Sequence, residues 1–386
     1  MTNNSIGYSC NIKTGKLDAN QAVANGRFPF FTCAEFPDTI NSFAFDDDVV
    51  LIAGNNARGN FHVNRFKGKF NAYQRTYILT AKENVDIDYI YYVLKLELKR
   101  LKEKAQGSQT KFLTMPILTS ICLSNIRYDE QITISTTLSK IDKKIELNNK
   151  INAELEAMAK LIYDYWFVQF DFPDANGKPY KSSGGKMVYN KELKREIPDG
   201  WGVKELSDIA NITMGQSPSG SSYNDFGEGS IFFQGSTDFG YRFPSVRQYT
   251  TEPSRMAKVG DILLSVRAPV GTLNIADNDC CIGRGLAALN SKDNANSFLF
   301  YVMLYFKQIF DRRNTSGTTF GSITKDDLFS LKLVYPTPNI LGKYDNKITD
   351  FNLKIFNNHQ QNKKLESLRD WLLPMLMNGQ VTVKDT

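Results

Sequence analysis

Histidine and cysteine are scarce in this chain of 386 residues, which has two histidines, His62 and His359, and five cysteines. Cys10, Cys33, Cys122, Cys280 and Cys281 include no CxxC pair, so the ligand spacing of a structural zinc site is missing. An odd thiol count without a signal peptide argues against a disulfide framework and for a reducing compartment. No apolar run approaches the roughly 20 residues that cross a bilayer. The expectation is a soluble, cytoplasmic chain with no membrane contact and no metal centre.

Catalytic signatures are missing too. There is no GxxxxGK[ST] sequence, hence no phosphate cradle for an NTPase or translocase. Methyl transfer to an exocyclic amine calls for an Asn/Asp-Pro-Pro-aromatic motif and a Gly-rich cofactor loop, and neither is present. Pro173-Asp174 followed by Glu192-Leu193-Lys194 could offer carboxylates to Mg²⁺, but so degenerate a pattern in a Gly/Ser connector is a weak nuclease signal. With two histidines and no paired serine or cysteine, a nucleophile–base arrangement has little support. No catalytic residue and no cofactor is expected in this chain.

Acidic residues are absent from one long stretch. Lys plus Arg exceed Asp plus Glu by only 47 to 41, a surplus that permits a polyanionic partner without demanding one. Yet between Val49 and Ala81 no Asp or Glu occurs, while Arg58, Arg65, Lys67, Lys69 and Arg75 interleave with Phe61, Phe66, Phe70, Tyr73 and Tyr77. Basic groups neutralise phosphates and aromatic faces stack, so the stretch reads as a nucleic-acid surface. It reads equally as a strand-rich core with a solvated basic edge.

What the chain does have is one domain plan written twice. Asn11-Ile12-Lys13-Thr14-Gly15 is answered by Asn211-Ile212-Thr213-Met214-Gly215, and Phe30-Phe31-Thr32 by Phe232-Phe233-Gln234. Further on the offset settles near 210, pairing Gly107 with Gly317, Thr114 with Thr324, Leu118 with Leu328, Ser120 with Ser330, Leu123 with Leu333 and Leu155-Glu156 with Leu365-Glu366. The length suffices for two ordinary cores, and the period is far too long for a solenoid. Short β-branched runs such as Val49-Val50-Leu51-Ile52-Ala53 and Asp261-Ile262-Leu263-Leu264-Ser265 predict strands of a mixed sheet. One local helix follows in each unit, Ile87 to Lys104 and Ser297 to Arg313. After it comes a polar loop, Gln106 to Lys111 or Asn314 to Thr319, which is either a phosphate-contacting loop or a plain helix-ending turn.

From Gln131 to Phe170 the period becomes helical. Leu138, Ile141, Ile145, Asn148, Ile151, Leu155, Met158 and Ile162 recur at steps of three and four, as do Ile348, Phe351, Ile355, Asn358, Asn362, Leu365, Leu368 and Leu372 near the carboxyl end. Such stripes suit helices that pair with one another, and seam asparagines favour one register; packing of each helix on its own unit is the alternative. At 1.5 Å per residue, about forty residues extend roughly 60 Å, a spacer length. A polar connector from Asp171 to Pro198 joins the first helix to Pro198-Asp199-Gly200-Trp201, a lead-in with no mirror at the amino terminus. The class is α+β: two similar mixed units at 1–130 and 197–338, long helices at 131–170 and 339–380, and a linker at 171–196.

In order and in duplicate, these stretches resemble the specificity subunits of type I restriction-modification systems. The likeness spans nearly the whole chain and rests on the two-copy plan, on Ile197-Pro198-Asp199-Gly200-Trp201-Gly202-Val203-Lys204-Glu205-Leu206-Ser207-Asp208-Ile209-Ala210, and on Ile141-Asp142-Lys143-Lys144-Ile145-Glu146-Leu147-Asn148-Asn149-Lys150. Phe28-Pro29-Phe30-Phe31-Thr32 and Val259-Gly260-Asp261-Ile262-Leu263-Leu264-Ser265 add to it. The resemblance implies two target-recognition domains joined by an antiparallel coiled coil. Each domain would read half of a split double-stranded DNA target, and the helices would fix the spacing and bind two modification (methyltransferase) subunits, joined by restriction subunits. S-adenosylmethionine, ATP and Mg²⁺ would be bound by those partners and not by this chain, which would have no catalytic activity.

On that footing Lys13, Lys16, Arg58 and Lys111 in the first copy, and Gln216, Arg267, Arg284, Thr318 and Thr319 in the second, are the candidate DNA contacts. Lysines suit phosphates, and Arg or Gln suit base edges. The pairing positions are Leu138, Ile141, Ile145, Leu155 and Met158 with Ile348, Phe351, Ile355, Leu365 and Leu368. Two other functions fit the residues less well: a recognition subunit with its own nuclease activity, and a two-headed coiled-coil scaffold for proteins.

Overall fold

The computed structural model describes residues 4–57, 59–105, 107, 110–315 and 322–383. Residues 1–148 with 360–386 form one compact unit, and 149–359 form the other. The division therefore falls within both long helices, Tyr128–Tyr163 and Pro338–Met377.

In the first unit a four-residue helix, Ile6–Ser9, feeds the strand Cys10–Thr14. The sheet has six strands in the spatial order Cys10–Thr14, Thr76–Ala81, Phe45–Ala53, Val63–Ala72, Phe28–Phe31, Asp38–Ile40. One pair is parallel, with Phe30 opposite Asn71 and Phe31 opposite Ala72. Successive strand residues point to opposite faces, and here both faces are covered. Val50 and Ile52 join Leu79 and the helix Ile87–Lys104, while Val49 and Leu51 join Phe31, Phe70 and Ile78. That helix begins where expected because the Asp86 side chain accepts the Tyr89 N–H at 2.9 Å, satisfying a donor the first turn leaves free. Ile134 and Leu138 of the first long helix, with Leu373, Leu376 and Met377 of the last, complete this core.

The second unit repeats the plan. Helix Leu206–Ile209 feeds strand Ala210–Met214, which pairs with Leu286–Ser291 and, through it, with Ile262–Ser265 and Leu273–Ile275. A five-stranded sheet again contains one parallel pair, with Phe232 opposite Cys281 and Phe233 opposite Ile282. The helix Asn296–Thr315 packs Phe298, Leu299, Val302 and Phe306 into the main core.

Two expectations need correction here. The helical pattern read through Phe170 stops earlier: the α-helix ends at Tyr163 and a π-turn, Asp164–Val168, follows. The connector after it is no loose linker. Phe172 stacks on Tyr180 at 4.6 Å and on Trp201 at 4.9 Å, and all three rings belong to or pack on the second unit's core. Asp171 accepts the Ser182 N–H at 2.7 Å and its hydroxyl at 2.6 Å, contacts that hold the carboxyl below its usual range. A hairpin, Met187–Asn190 with Arg195–Pro198, then delivers the chain to Trp201.

Within each unit the long helices lie antiparallel. In the first, Arg369 meets Asp142 at 2.9 Å, and Asn148 donates to Gln361 and Asn362 at 2.8 Å. In the second, Asn358 donates to Asn152 at 2.8 Å and Tyr344 to the Ala159 carbonyl at 3.5 Å. Leu138, Ile145, Ile348 and Ile355 are buried, and Ile141, Leu155, Phe351 and Leu365 are half-buried. Met158 and Leu368, expected in the stripe, are instead exposed. From Leu155 the buried seam steps by four to Ala159, a small residue that admits the large Tyr344 ring, and Arg369 takes the inner place beside Leu368.

Candidate nucleic-acid interface

The acid-free stretch is not one surface. Phe61 and Phe70 are core, and Arg65 is held by Asp48 and Asp88, the latter at 2.6 Å, with Lys67 also on Asp48. Those cations are neutralised within the fold. At one end of the sheet the stretch forms the turn Tyr73-Gln74-Arg75-Thr76, where Gln74 and Arg75 are exposed.

Three segments meet at that turn. Gly15, just after the first strand, donates to the Thr76 carbonyl at 3.3 Å, and Gln74 donates to Leu17 at 2.9 Å. Gly54 donates to the Arg75 carbonyl at 2.7 Å and accepts from Leu113 at 2.9 Å, which sets Asn55–Asn56 beside the short strand Lys111–Phe112. Neither crossing of this unit has room for a side chain: a Cβ on Gly15 would lie 2.0 Å from the Ala72 oxygen, and one on Gly54 2.2 Å from that of Arg75. A cleft of about 450 Å³ opens between the segments, lined by Thr14, Gln74, Arg75 and Phe112, with the Arg75 guanidinium 5.3 Å from the Phe112 ring centre.

The second unit has the same crossings. Gly215 donates to Leu286 at 2.9 Å, Val266 donates to Gly285 at 2.9 Å, and Ile323 donates to Val266 at 2.9 Å. Tyr73 donates to Phe31 at 2.9 Å as Gly283 does to Phe233 at 2.8 Å. A Cβ on Gly215 would lie 2.2 Å from the Gly283 oxygen, which explains why this glycine recurs in the repeat. The bonds equate Lys16 with Gln216, Asn55 with Arg267, Gln74 with Arg284 and Phe112 with Ser322.

Of the expected contacts, Lys16 and Lys111 in the first unit and Gln216, Arg267 and Arg284 in the second stand on these converging segments. Lys13 is exposed on the strand Cys10–Thr14. Arg58, Thr318 and Thr319 lie outside the described residues. Arg267 and Arg284 are exposed, and among the described residues neither has a carboxylate partner. The residues missed from sequence are Gln74, Asn55 and Gln234, whose amide donates to Ser217 at 2.9 Å. The 210-residue offset applied to Arg284 would have found Gln74.

The loose carboxylate pattern is not assembled. Asp174 accepts turn N–H groups from Asn176 at 2.7 Å and Lys178 at 2.9 Å, whereas Glu192 pairs with Lys332. Among the described residues no group of three or more His, Cys, Asp or Glu side chains could hold a metal ion. Burial pushes the Cys10 and Cys280 thiols up to about 12, so both are protonated near neutrality. His359 lies 3.2 Å from Asp277 and stacks on Phe243 at 4.3 Å, a packed and hydrogen-bonded side chain.

Comparison with known proteins gives a consistent result. The family described as the type I restriction modification DNA specificity domain matches twice, over residues 5–157 and 198–367. The EcoDI type I restriction enzyme specificity subunit of Escherichia coli is 32% identical over 54% of this chain and 48% of its own length. The MjaIX specificity subunit of Methanocaldococcus jannaschii is 29% identical over 80% of this chain and 72% of its own. A crystal structure of a type I restriction-modification S subunit from M. genitalium shares the fold, with a TM-score of 0.64, 16% identity, and coverage of 99% of this chain and 96% of that one.

Proposed function

The chain belongs to the type I restriction-modification DNA specificity family, and from that premise we propose that it reads a split target in double-stranded DNA, one half-site with each unit. The observation that carries this reading is the pair of matching crossings, built from the same backbone hydrogen bonds and dressed with different polar side chains. An equal scaffold with unequal tips suits two different half-sites. The exposed Lys16 and half-buried Lys111 beside the first unit's tip suit phosphates, which position a protein on the duplex without selecting sequence.

In this reading the chain has no catalytic activity of its own. It directs two modification subunits, and restriction subunits with them, and those partners hold S-adenosylmethionine, ATP and Mg²⁺. The two copies leave equivalent apolar side chains uncovered: Met158 and Leu161 on the first long helix, Leu368 and Trp371 on the last. Leu161 is 67% and Trp371 56% exposed, unusual for such residues on a helix that buries its other face. Equivalent patches in duplicate suit two copies of one partner, the modification subunit. The complex would work in the cytoplasm; no described helix is long and apolar enough to cross a membrane.

The test is methylation mapping of cells that express this chain with its modification partner, beside assays of the purified chain alone. A modified motif of two defined halves separated by unread bases is expected, with no methyl transfer or cleavage by the isolated chain. A continuous motif, or activity of the chain alone, refutes the reading.

A further inference from the structure

We infer that Gln74 and Arg284 are equivalent base-reading residues, Gln74 reading an adenine in one half-site and Arg284 a guanine at the matching position of the other. The inference rests on the proposed reading of a split DNA target and assigns chemistry to two of its positions.

The first ground is structural equivalence. Each residue sits second in the turn between a parallel-paired strand and the strand that pairs with the opening one. The turns are Tyr73–Thr76 and Gly283–Leu286, and each is fixed by the same set of backbone bonds. Each residue also uses its own N–H to reach the segment after the opening strand: Gln74 donates to the Leu17 carbonyl at 2.9 Å, and Arg284 to the Ser217 hydroxyl at 3.3 Å. Both backbones are therefore clamped while both side chains remain exposed. Arg284 rises between Gly283 and Gly285, where a Cβ would come within 2.9 and 2.8 Å of Gln234 backbone atoms. No neighbouring side chain in that turn crowds it.

The second ground separates base from phosphate. A phosphate looks the same at every step of the duplex, so a phosphate contact repeated in two copies calls for the same charge in both. Here the framework is retained and the side chain changes from a neutral carboxamide to a guanidinium. Those two groups differ in which base edge they match: Gln can bond adenine N6 and N7 together, and Arg can bond guanine O6 and N7. Neither side chain is committed elsewhere, since among the described residues Gln74 has no side-chain hydrogen bond and Arg284 no ion pair. Arg75, next to Gln74, lies over the Phe112 ring and has only Gly285 as its counterpart, so it does not serve both copies.

The experiment compares methylation motifs of complexes containing the full chain, Gln74→Arg or Arg284→Gln with the modification subunit. Gln74→Arg is expected to turn one adenine of one half-site into guanine, leaving the other half-site and the gap unchanged. Arg284→Gln is expected to do the reverse in the other half-site, and preference for the new base should be roughly ten- to a hundred-fold. A complex that modifies too little DNA to map is scored by selection from a randomised duplex pool with Gln74→Ala and Arg284→Ala, where one position of one half-site should become degenerate. A split motif for the unaltered chain with every position kept by the substituted chains overturns the assignment. If the unaltered chain yields no split motif at all, it is the DNA-recognition reading that fails.

Discussion

Asn358 donates its side-chain amide to Asn152 at 2.8 Å, and both residues are buried where the two long helices meet in the second unit. A buried amide is stable only when its polar atoms find partners, so the two side chains hold one register of the helices.

Removing one member should cost more than removing both. Asn152→Ala alone orphans the Asn358 amide and should lower stability by about 1–3 kcal/mol. Replacing both residues with leucine should recover much of that loss while loosening the choice of register. Thermal unfolding of the single and double variants checks this; equal losses in both mean the bond contributes nothing.

The recurring glycines should tolerate no side chain. Gly215→Ala places a Cβ 2.2 Å from the Gly283 oxygen, and the strain should cost about 1–3 kcal/mol or more because backbone, and not a flexible side chain, must yield. Gly202→Ala, with nothing within 4 Å of its Cβ, is the control. Equal melting temperatures for the two variants would contradict the close crossing.

Lys16 and Lys111 should act on all DNA alike. Substituting either with alanine in the assembled complex is expected to weaken binding to specific and random duplexes together and reduce the salt slope by about 1. The measurement is affinity against salt concentration. An unchanged slope for both places the phosphate contacts on other residues.

Partner stoichiometry should respond to the exposed apolar pairs. Leu161→Glu or Trp371→Glu changes a solvent-facing residue and should leave the fold intact, while each removes one modification subunit from the complex. The double variant should remove both. Native mass measurement of assembled complexes gives the count directly, and two modification subunits on the double variant would exclude these faces.

Much of the architecture was legible in local order. The limits of the helix Ile87–Lys104 follow from Asp86 as a cap and from apolar spacing, both contained within a few turns. The recurrence of Asn-Ile with a glycine announced two copies, and its physical cause, a backbone crossing at Gly15 and Gly215, is the same in each. The interface was half legible. Arg267 and Arg284 were among the candidate contacts, but Gln74 carries no charge and is found only as the counterpart of Arg284, through the repeat offset and the shared pattern of crossing bonds.

By itself the sequence determined the duplicated plan, the two long helices and the family to which they belong, because repeats, caps and periodicity act between residues near in sequence or at one constant offset. Tertiary structure alone decided which side chains those elements leave free. Whether Arg65 is an open cation or the partner of Asp48 and Asp88 depends on strands paired across the sheet. Whether the seam passes through Met158 or Ala159 depends on Tyr344, nearly two hundred residues away. Steps of three and four are equally helical, and the shape of the facing side chain selects between them.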